Sequence, residues 1–296
     1  MVDIALQLFD IAGRLLVTTG GIGNNKRTNM SEVVDLSDPS LICDPWPDYP
    51  IEIYGAVGGL TDDEYLIICG GYDGNQTQKL CYMMNQTGTR EIQGMKTDLH
   101  YSAGAPFNNI LLISGGWSTI QGVLYFSLVC SSNLKMTILS DNSLKGTEFV
   151  SINDEVYGPD SPFLVYHHCI TAINETTMIS IGGTRDKLSY VRYKTTMYFD
   201  HQSQEWTIGP EMNLKRFRHA CGKLVVGNAS IIVVAGGYTN NEYHTSKSVE
   251  FLLANDTWVE GKNISITMMM DVFQYEKFIR TEFAIGAFRK RTYSVS

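Results

Sequence analysis

The stretch LIICGGYDGNQT, from Leu66 to Thr77, decides the fold of this chain. A run of apolar residues ends on two consecutive glycines, and an aromatic residue and a polar turn follow. Because glycine has no Cβ atom, a pair of glycines lets a strand turn sharply with positive φ and approach a neighbouring strand closely. The stretch therefore predicts a buried strand that ends in a tight turn against another element.

The same pattern recurs along the chain at fairly regular intervals. Further glycine pairs after apolar runs lie at 20–21, 115–116, 182–183 and 236–237, in addition to the pair at 70–71. A degenerate sixth copy, FAIGAF, has Gly-Ala at 286–287, whereas the pair at 58–59 is off the period and lacks the apolar run. A period of roughly 50 residues indicates a repeat architecture in which each copy is one supersecondary unit.

Other features keep phase with the glycine pairs. Before each of four pairs, the chain has a short segment with a His or an aromatic residue, beginning at Tyr54, His100, His167 or Arg218. After the pair, two copies have an aromatic residue and then a Trp, at 206 and 258. A helical period of 3.6 is not sustained anywhere, and each unit is typical of four short strands joined by turns.

These residues resemble the kelch repeat: four apolar residues, Gly-Gly, and then spaced Tyr or Phe and Trp. The resemblance covers nearly the whole chain, which we interpret as one domain over residues 1–296. The family implies an all-β protein, a kelch-type β-propeller. We expect six blades of four antiparallel strands, with the last blade incomplete or degenerate and the aromatic residues of the pattern packed between blades.

Two regions depart from the repeat. The interval between the third and fourth glycine pairs is the longest and contains extra sequence at 118–146, within the third repeat. We expect this segment to be either an added hairpin with a binding role or an artefact of the gene model. The last unit is short after its Gly-Ala, so either the ring closes imperfectly or the sequence is incomplete at one end.

Charge and hydropathy argue against two classes of partner. The formal net charge of −8 argues against a nucleic-acid partner, because the phosphates would repel such a surface. We also expect no membrane span, because no stretch approaches the roughly 18 uninterrupted apolar residues of a membrane helix. The oligomeric state is not predicted by the sequence.

Four of the six cysteines suggest two disulfide bonds. Cys69 and Cys81 flank one Gly-Gly turn, at the end of one strand and the start of the next, where antiparallel neighbours come close enough to bond. Cys169 and Cys221 occupy equivalent places in successive repeats, so they reach each other only if both lie on the innermost strands.

Asn-x-Ser/Thr sequons indicate the compartment. There are seven of them, more than twice the number that chance predicts from the composition, and most are in turn-like contexts. The candidate acceptors are Asn29, Asn75, Asn85, Asn174, Asn228, Asn255 and Asn263. We therefore expect an extracellular or secretory-lumen protein, although no signal peptide is recognised in this sequence; a cytoplasmic protein is the alternative.

No catalytic constellation stands out, and we expect neither a cofactor nor a bound metal. Tyr166 followed by His167 resembles a part of the copper radical oxidases, but the remaining ligands of those enzymes cannot be assigned here. The turn signature of six-bladed glycan hydrolases is absent as well. A propeller enzyme of either type is the alternative to a non-catalytic protein.

The sequence therefore predicts a binding module for another protein or peptide, or for a glycan. Kelch propellers that bind peptides use one rim, formed by the turns after Gly-Gly and by the residues that open the inner strands. The resemblance places the following candidates on that rim: Tyr72, Asp73, Trp117, Arg185, Asp186, Arg216, Arg218, Tyr238 and Asn240. Tyr, Trp and Arg are also the residue types most enriched in binding hot spots.

Overall fold

A computed structural model of the chain describes most of the sequence between residues 7 and 263. The described ranges are 7–11, 15–23, 26–35, 43–60, 65–107, 110–118, 127–129, 137–139, 147–151, 155–157, 165–184, 192–226, 229–239 and 245–263. Strands, turns and irregular segments make up this part of the protein, and none of its residues is helical. The prediction of an all-β protein is confirmed.

Five antiparallel sheets of four strands follow one another along the described chain. The first contains β1 (Gln7–Ile11), β2 (Leu15–Gly23), β3 (Lys26–Asp35) and β4 (Cys43–Trp46). The second contains β5 (Val57–Leu60), β6 (Leu66–Cys69), β7 (Cys81–Asn85) and β8 (Gly88–Ile92). In both sheets the spatial order of the strands is their order in the sequence.

The third sheet is interrupted by the extra segment. It contains β9 (Ala103–Phe107), β10 (Ile110–Ser114), β13 (Thr147–Ser151) and β14 (Glu155–Tyr157), in that spatial order. Between its second and third strands, β11 (Ser127–Val129) and β12 (Thr137–Leu139) pair with each other as an antiparallel hairpin. The rest of 119–146 lies outside the described residues.

The last two sheets repeat the sequential order. The fourth contains β15 (Cys169–Ala172), β16 (Thr177–Ile181), β17 (Thr196–Asp200) and β18 (Glu205–Ile208). The fifth contains β20 (Ala220–Val226), β21 (Ala229–Ala235), β23 (Val249–Leu252) and β24 (Trp258–Glu260). A short separate pair joins β19 (Arg216–Phe217) to β22 (Tyr238–Thr239).

The first strands of the sheets contact one another in succession. β1 contacts β5, β5 contacts β9, β9 contacts β15 and β15 contacts β20. The sheets are thus arranged as the blades of a β-propeller, with their first strands innermost. The six-blade count and the kelch type stay predictions, and the degenerate copy at 286–287 lies outside the described residues.

Apolar wedges between successive sheets form the core. All four residues of β6 are buried; Leu66 and Ile68 pack towards the first sheet, whereas Ile67 and Cys69 pack towards the third. This is why the strand before the glycine pair is a continuous apolar run rather than an alternating one. The fourth strand β8 has no buried residue, as expected for the outer edge of a blade.

The predicted aromatic packing is found at two positions. Trp258 is buried in the wedge between the fourth and fifth sheets, together with Met212 and Val234. Trp206 packs against the wedge between the third and fourth sheets, with its ring centroid 5.0 Å from that of Phe199. Both tryptophans therefore fill space between blades.

The glycine pairs have the backbone that the sequence predicts. All ten glycines have positive φ, between 61° and 120°. Four pairs follow the second strand of their sheet, and the pair at 20–21 lies inside β2, where the register with β3 shifts. At Gly182, an added Cβ atom would lie 2.7 Å from the carbonyl oxygen of Arg216, in the segment that leads into the next sheet. Only glycine satisfies both requirements.

Both predicted disulfides are present. Cys69 and Cys81 are directly opposite each other on β6 and β7, with 4.1 Å between their Cα atoms. Cys169 and Cys221 join the innermost strands β15 and β20 of successive sheets, with 5.9 Å between their Cα atoms. The second bond therefore links two blades covalently through their inner strands.

The close approach at the glycine pairs gives a stability prediction. We expect Gly182→Ala to lower the free energy of unfolding by at least about 2 kcal/mol, because the new methyl group meets a backbone carbonyl and the residue keeps a left-handed φ. Gly88→Ala is the control, because φ is also positive there but no atom lies within 4 Å of an added Cβ. Denaturant unfolding of both variants measures the difference; equal losses would contradict the role of the carbonyl contact.

Candidate functional site

Four short segments lead into the inner strands and build the candidate site. We call residues 53–55, 99–101, 165–167 and 216–218 the entry segments. In each, the backbone carbonyl of the first residue accepts a hydrogen bond from the N–H of the second glycine of the preceding sheet. The four hydrogen bonds run from Gly21 to Ile53 (2.7 Å), from Gly71 to Leu99 (2.6 Å), from Gly116 to Val165 (3.0 Å) and from Gly183 to Arg216 (2.7 Å).

The second residue of each entry segment pairs within its own sheet. It forms an antiparallel bridge with the residue that directly follows the glycine pair. The four bridges are Tyr54–Tyr72, His100–Trp117, Tyr166–Thr184 and Phe217–Tyr238. Adjacent residues of one segment therefore bind two different sheets, which fixes the segment between them.

The third residue takes an uncommon backbone conformation. It is Gly55 in one segment, but Tyr101, His167 and Arg218 have positive φ too, at 57°, 54° and 53°. Their N–H groups donate in series: Tyr101 to the carbonyl of Gly55 (2.8 Å), His167 to Tyr101 (3.2 Å) and Arg218 to His167 (2.9 Å). A left-handed φ costs a non-glycine residue about 1–2 kcal/mol, and such strain is found where a fixed side-chain position matters.

The entry segments and the residues after the glycine pairs surround a cavity of about 330 Å³, which we call the inner pocket. This volume is within the range of small-ligand and side-chain sites. The lining residues are Tyr54, His100, Tyr101, Trp117, Tyr166, His167, Thr184, Arg192, Phe217, Arg218 and Tyr238. Most of them are aromatic, and two are arginines.

Tyr101 stands at the centre of the aromatic cluster. Its ring centroid is 4.4 Å from that of His100 and 4.2 Å from that of His167. The ring of Tyr54 also contacts it, with 6.0 Å between the centroids. Such contacts hold aromatic rings in fixed orientations, so the pocket wall is preorganised rather than loose.

Both arginines of the pocket are held against aromatic rings. The guanidinium carbon of Arg218 is 5.8 Å from the ring centre of Tyr101, and its Nε donates to Nε2 of His167 at 3.4 Å. Arg192 lies over the ring of Phe217 at 5.1 Å and donates to the carbonyl of Thr239 at 3.1 Å. The pocket thus offers flat apolar surface and fixed N–H donors side by side.

Several predicted rim residues are at this site. Trp117, Arg218 and Tyr238 line the inner pocket. Tyr72 lies beside it, with its ring 5.6 Å from Tyr54 and 5.7 Å from His100. The structure therefore brings four of the sequence candidates together; that they bind a partner stays a prediction.

Asp73 has a local role. Its Oδ1 accepts the N–H groups of Asn75 (2.7 Å) and Gln76 (2.8 Å), and its Oδ2 accepts from the side chain of Gln78 (2.6 Å). These bonds close the turn after Gly70-Gly71. Three further candidates, Arg185, Asp186 and Asn240, lie outside the described residues.

Arg216 was predicted to lie on the rim, but its side chain points into the protein. Its side chain is fully buried, forms an ion pair with the equally buried Glu250 at 3.0 Å, and donates to the carbonyl of Gly236 at 2.8 Å. Glu250 in turn accepts the N–H of Asn213 at 2.7 Å. The guanidinium group is used inside the fifth sheet, and a partner at the rim does not reach it.

The sequence interpretation missed most of the pocket wall. Tyr54, His100 and His167 are in phase with the glycine pairs, but the phase alone indicates a repeat feature and not a site. Tyr101, Tyr166 and Phe217 are next to such positions in the sequence, and nothing else in the sequence marks them. Arg192 lines the pocket and pairs with Thr184, but no pattern in the sequence marks it.

The copper radical oxidases need a cluster of metal-ligating side chains. Within the described ranges, no group of three or more His, Cys, Asp or Glu side chains is placed to hold a metal ion. His167 contacts the rings of Tyr101 and Tyr166 and accepts a hydrogen bond from Arg218.

In the part of the chain that the structure describes, no helix has the length and apolar character needed to span a membrane.

Two buried histidines directly follow entry segments. His168 packs on Gly115, where an added Cβ would be 2.8 Å from its Cε1, and His219 packs on Gly182 in the same way at 2.9 Å. Burial lowers the pKa of His168 from 6.5 to about 3, and the neighbouring His167 adds a smaller electrostatic effect in the same direction. Burial likewise lowers the pKa of His219 to about 3, assisted by the charge of Arg216. Both rings are neutral in the folded protein at neutral pH.

These histidines predict a loss of stability in mild acid. As the pH falls from 6.5 towards 3, the unfolded chain takes up protons at the two rings and the folded chain does not, so stability falls through this window. At pH 5 we expect each ring to cost up to about 2 kcal/mol relative to pH 7.5. Urea unfolding of the wild type and of the His168→Leu/His219→Leu variant at both values measures the slope. An unchanged pH dependence in the variant would contradict this origin.

Comparison of the chain with protein-family models and with curated protein sequences gave no match.

Proposed function

We propose that this protein is a non-catalytic, kelch-type binding module that engages another protein through the inner pocket. The observation that supports this most is the series of residues with positive φ at the pocket, Tyr101, His167 and Arg218. A β-propeller fold is consistent with a binding module, but it does not by itself indicate one, because the same fold hosts many functions.

The backbone bonds of the entry segments account for the positive φ but not for the choice of a non-glycine residue at this position. The equivalent position in the second sheet is Gly55, which takes the same conformation with φ of 66° and without a side-chain penalty. Three other sheets place a large polar or aromatic side chain there instead, and all three side chains line one cavity. Retaining strained residues at a shared surface is typical of a binding site.

The chemistry of the pocket favours a partner group that carries oxygen acceptors on a flat or apolar body. Arg192 and Arg218 supply N–H donors held in fixed positions by ring contacts. Tyr101, Trp117 and Tyr238 supply rigid apolar surface at low conformational cost. A side chain from an exposed loop of a partner protein fits a cavity of about 330 Å³, and a glycan residue is the second candidate.

The disulfides and sequons support an extracellular or secretory-lumen location for this module. Disulfides persist in oxidising compartments and are rare in the cytosol. Four of the six cysteines form two bonds, both in buried positions. We therefore propose that the partner is met outside the cell or in the secretory lumen.

The pocket predicts which substitutions abolish binding. We expect the variant Trp117→Ala/Arg218→Ala/Tyr238→Ala to lose at least tenfold in affinity for a true partner, because hot-spot side chains of these types contribute about 2 kcal/mol or more. Secreted wild type and variant are used as baits for extracellular proteins, and the affinity of each captured protein is then measured by biolayer interferometry.

The control variant is Arg90→Ala/Ile208→Ala, which changes exposed residues on the outer strands β8 and β18. It should bind every partner of the wild type. Both variants are compared with the wild type by thermal unfolding, so that loss of binding is separated from loss of fold. Equal capture by the pocket variant and the wild type would contradict the proposed site.

A further inference from the structure

The two ends of the sheets differ in their chemistry. The inner strands begin and the second strands end at the inner pocket, so this is the pocket end. Because neighbouring strands are antiparallel, the turns between first and second strands and those between third and fourth strands lie together at the opposite end. We call this the far end.

Sequons occupy hairpin tips of the far end. Asn85-Gln86-Thr87 covers the last residue of β7 and the turn to β8, and Asn174-Glu175-Thr176 lies in the turn between β15 and β16. Asn255-Asp256-Thr257 lies in the turn between β23 and β24. The three acceptors thus come from the second, fourth and fifth sheets and share one end of the molecule.

Two of these tips have the same local hydrogen bonds. Oδ1 of Asn85 accepts the N–H (2.9 Å) and the hydroxyl (2.7 Å) of Thr87. Oδ1 of Asn174 accepts the N–H (2.9 Å) and the hydroxyl (3.1 Å) of Thr176. In each sequon the turn uses the amide oxygen, and the amide nitrogen, which is the atom that carries a glycan, takes no part in these bonds.

The third tip is exposed throughout. Residues 254–257 are all exposed, and the turn is closed by backbone bonds from Leu253 to Thr257 and from Asp256 to Leu253, both 3.0 Å. A glycan at Asn255 would disturb neither of these bonds, because its side-chain amide takes no part in them.

The other two fully described sequons are built differently. Nδ2 of Asn29, inside β3, donates to the carbonyl of Tyr49 at 3.1 Å, and Ser31 is buried. At the pocket end, Asn75 is exposed, but Thr77 of its sequon is buried and donates its hydroxyl to Asp98. At neither position is a whole sequon presented on the surface.

We propose that the protein carries N-linked glycans at Asn85, Asn174 and Asn255, so that the far end is covered by sugar and a protein partner has access to the pocket end. This inference rests on the secretory location in the proposed function, but it is independent of the identity of the partner. A glycan is bulky and solvated, and a surface that bears three of them does not form a close protein interface.

The test is a map of glycan occupancy. The chain is expressed behind an added signal peptide in a eukaryotic secretory host, and the glycans are removed enzymatically in ¹⁸O water, which marks each former acceptor as labelled Asp. A digest without the glycan-removing enzyme corrects for spontaneous deamidation. We expect most molecules of the secreted protein to be labelled at Asn85, Asn174 and Asn255, and few at Asn29 and Asn75. Cell-retained protein is mapped in parallel, so that poor secretion still gives a result.

The matched variant is Asn85→Asp/Asn174→Asp/Asn255→Asp. Aspartate keeps an oxygen for the Thr N–H in the two closed turns, so the fold should be retained while the intact mass falls by three glycans. Absence of label at Asn85 and Asn174 in both fractions would overturn the proposal, and so would occupancy of Asn75 equal to theirs. Neither result bears on the pocket variants, whose readout is partner affinity.

Discussion

One repeated hydrogen bond joins successive sheets: in four of the five glycine pairs, the N–H of the second glycine donates to a carbonyl of the segment that enters the next sheet. The bond requires a backbone approach so close that a Cβ atom on the first glycine would collide with the same segment. The shared shape of the turns therefore follows from an interaction between sheets and not from the turn itself. The left-handed φ of the glycines follows from that approach, whereas the buried apolar run before them follows from packing against the sheets on both sides.

The candidate site arises from the same contact. Once its first residue is bound to the preceding sheet, an entry segment must present its next two residues in fixed directions. The second residue pairs with the position after the glycines, and the third bonds to its counterpart in the neighbouring segment. These bonds involve only backbone atoms, so the side chains at the two positions can differ from one segment to the next. The same backbone arrangement therefore places Tyr, His and Arg around one cavity. Structural rigidity and a variable surface thus have a common origin.

Much of the backbone arrangement could be predicted from the sequence. The glycine pairs required positive φ, and a bond between Cys169 and Cys221 required innermost strands; both expectations are met. The pocket wall was less predictable, because the third residues of the entry segments share a backbone conformation and not a residue type. Arg216 and Arg218 lie close together in the sequence and looked alike, but only a distant partner, Glu250, shows that Arg216 points inwards. Long-range pairing of this kind leaves no local pattern.

The most direct test of these inter-sheet bonds is site-resolved amide hydrogen exchange in the native protein. The amides of Gly71, Gly116 and Gly183 join successive sheets, and those of Tyr101, His167 and Arg218 join successive entry segments. If these bonds hold the sheets together, all six amides exchange only through global unfolding, with the slowest rates in the protein. Exchange as fast as that of the exposed hairpin residues Gln86 and Glu175 would contradict this, because the sheets would then be held by something other than these bonds.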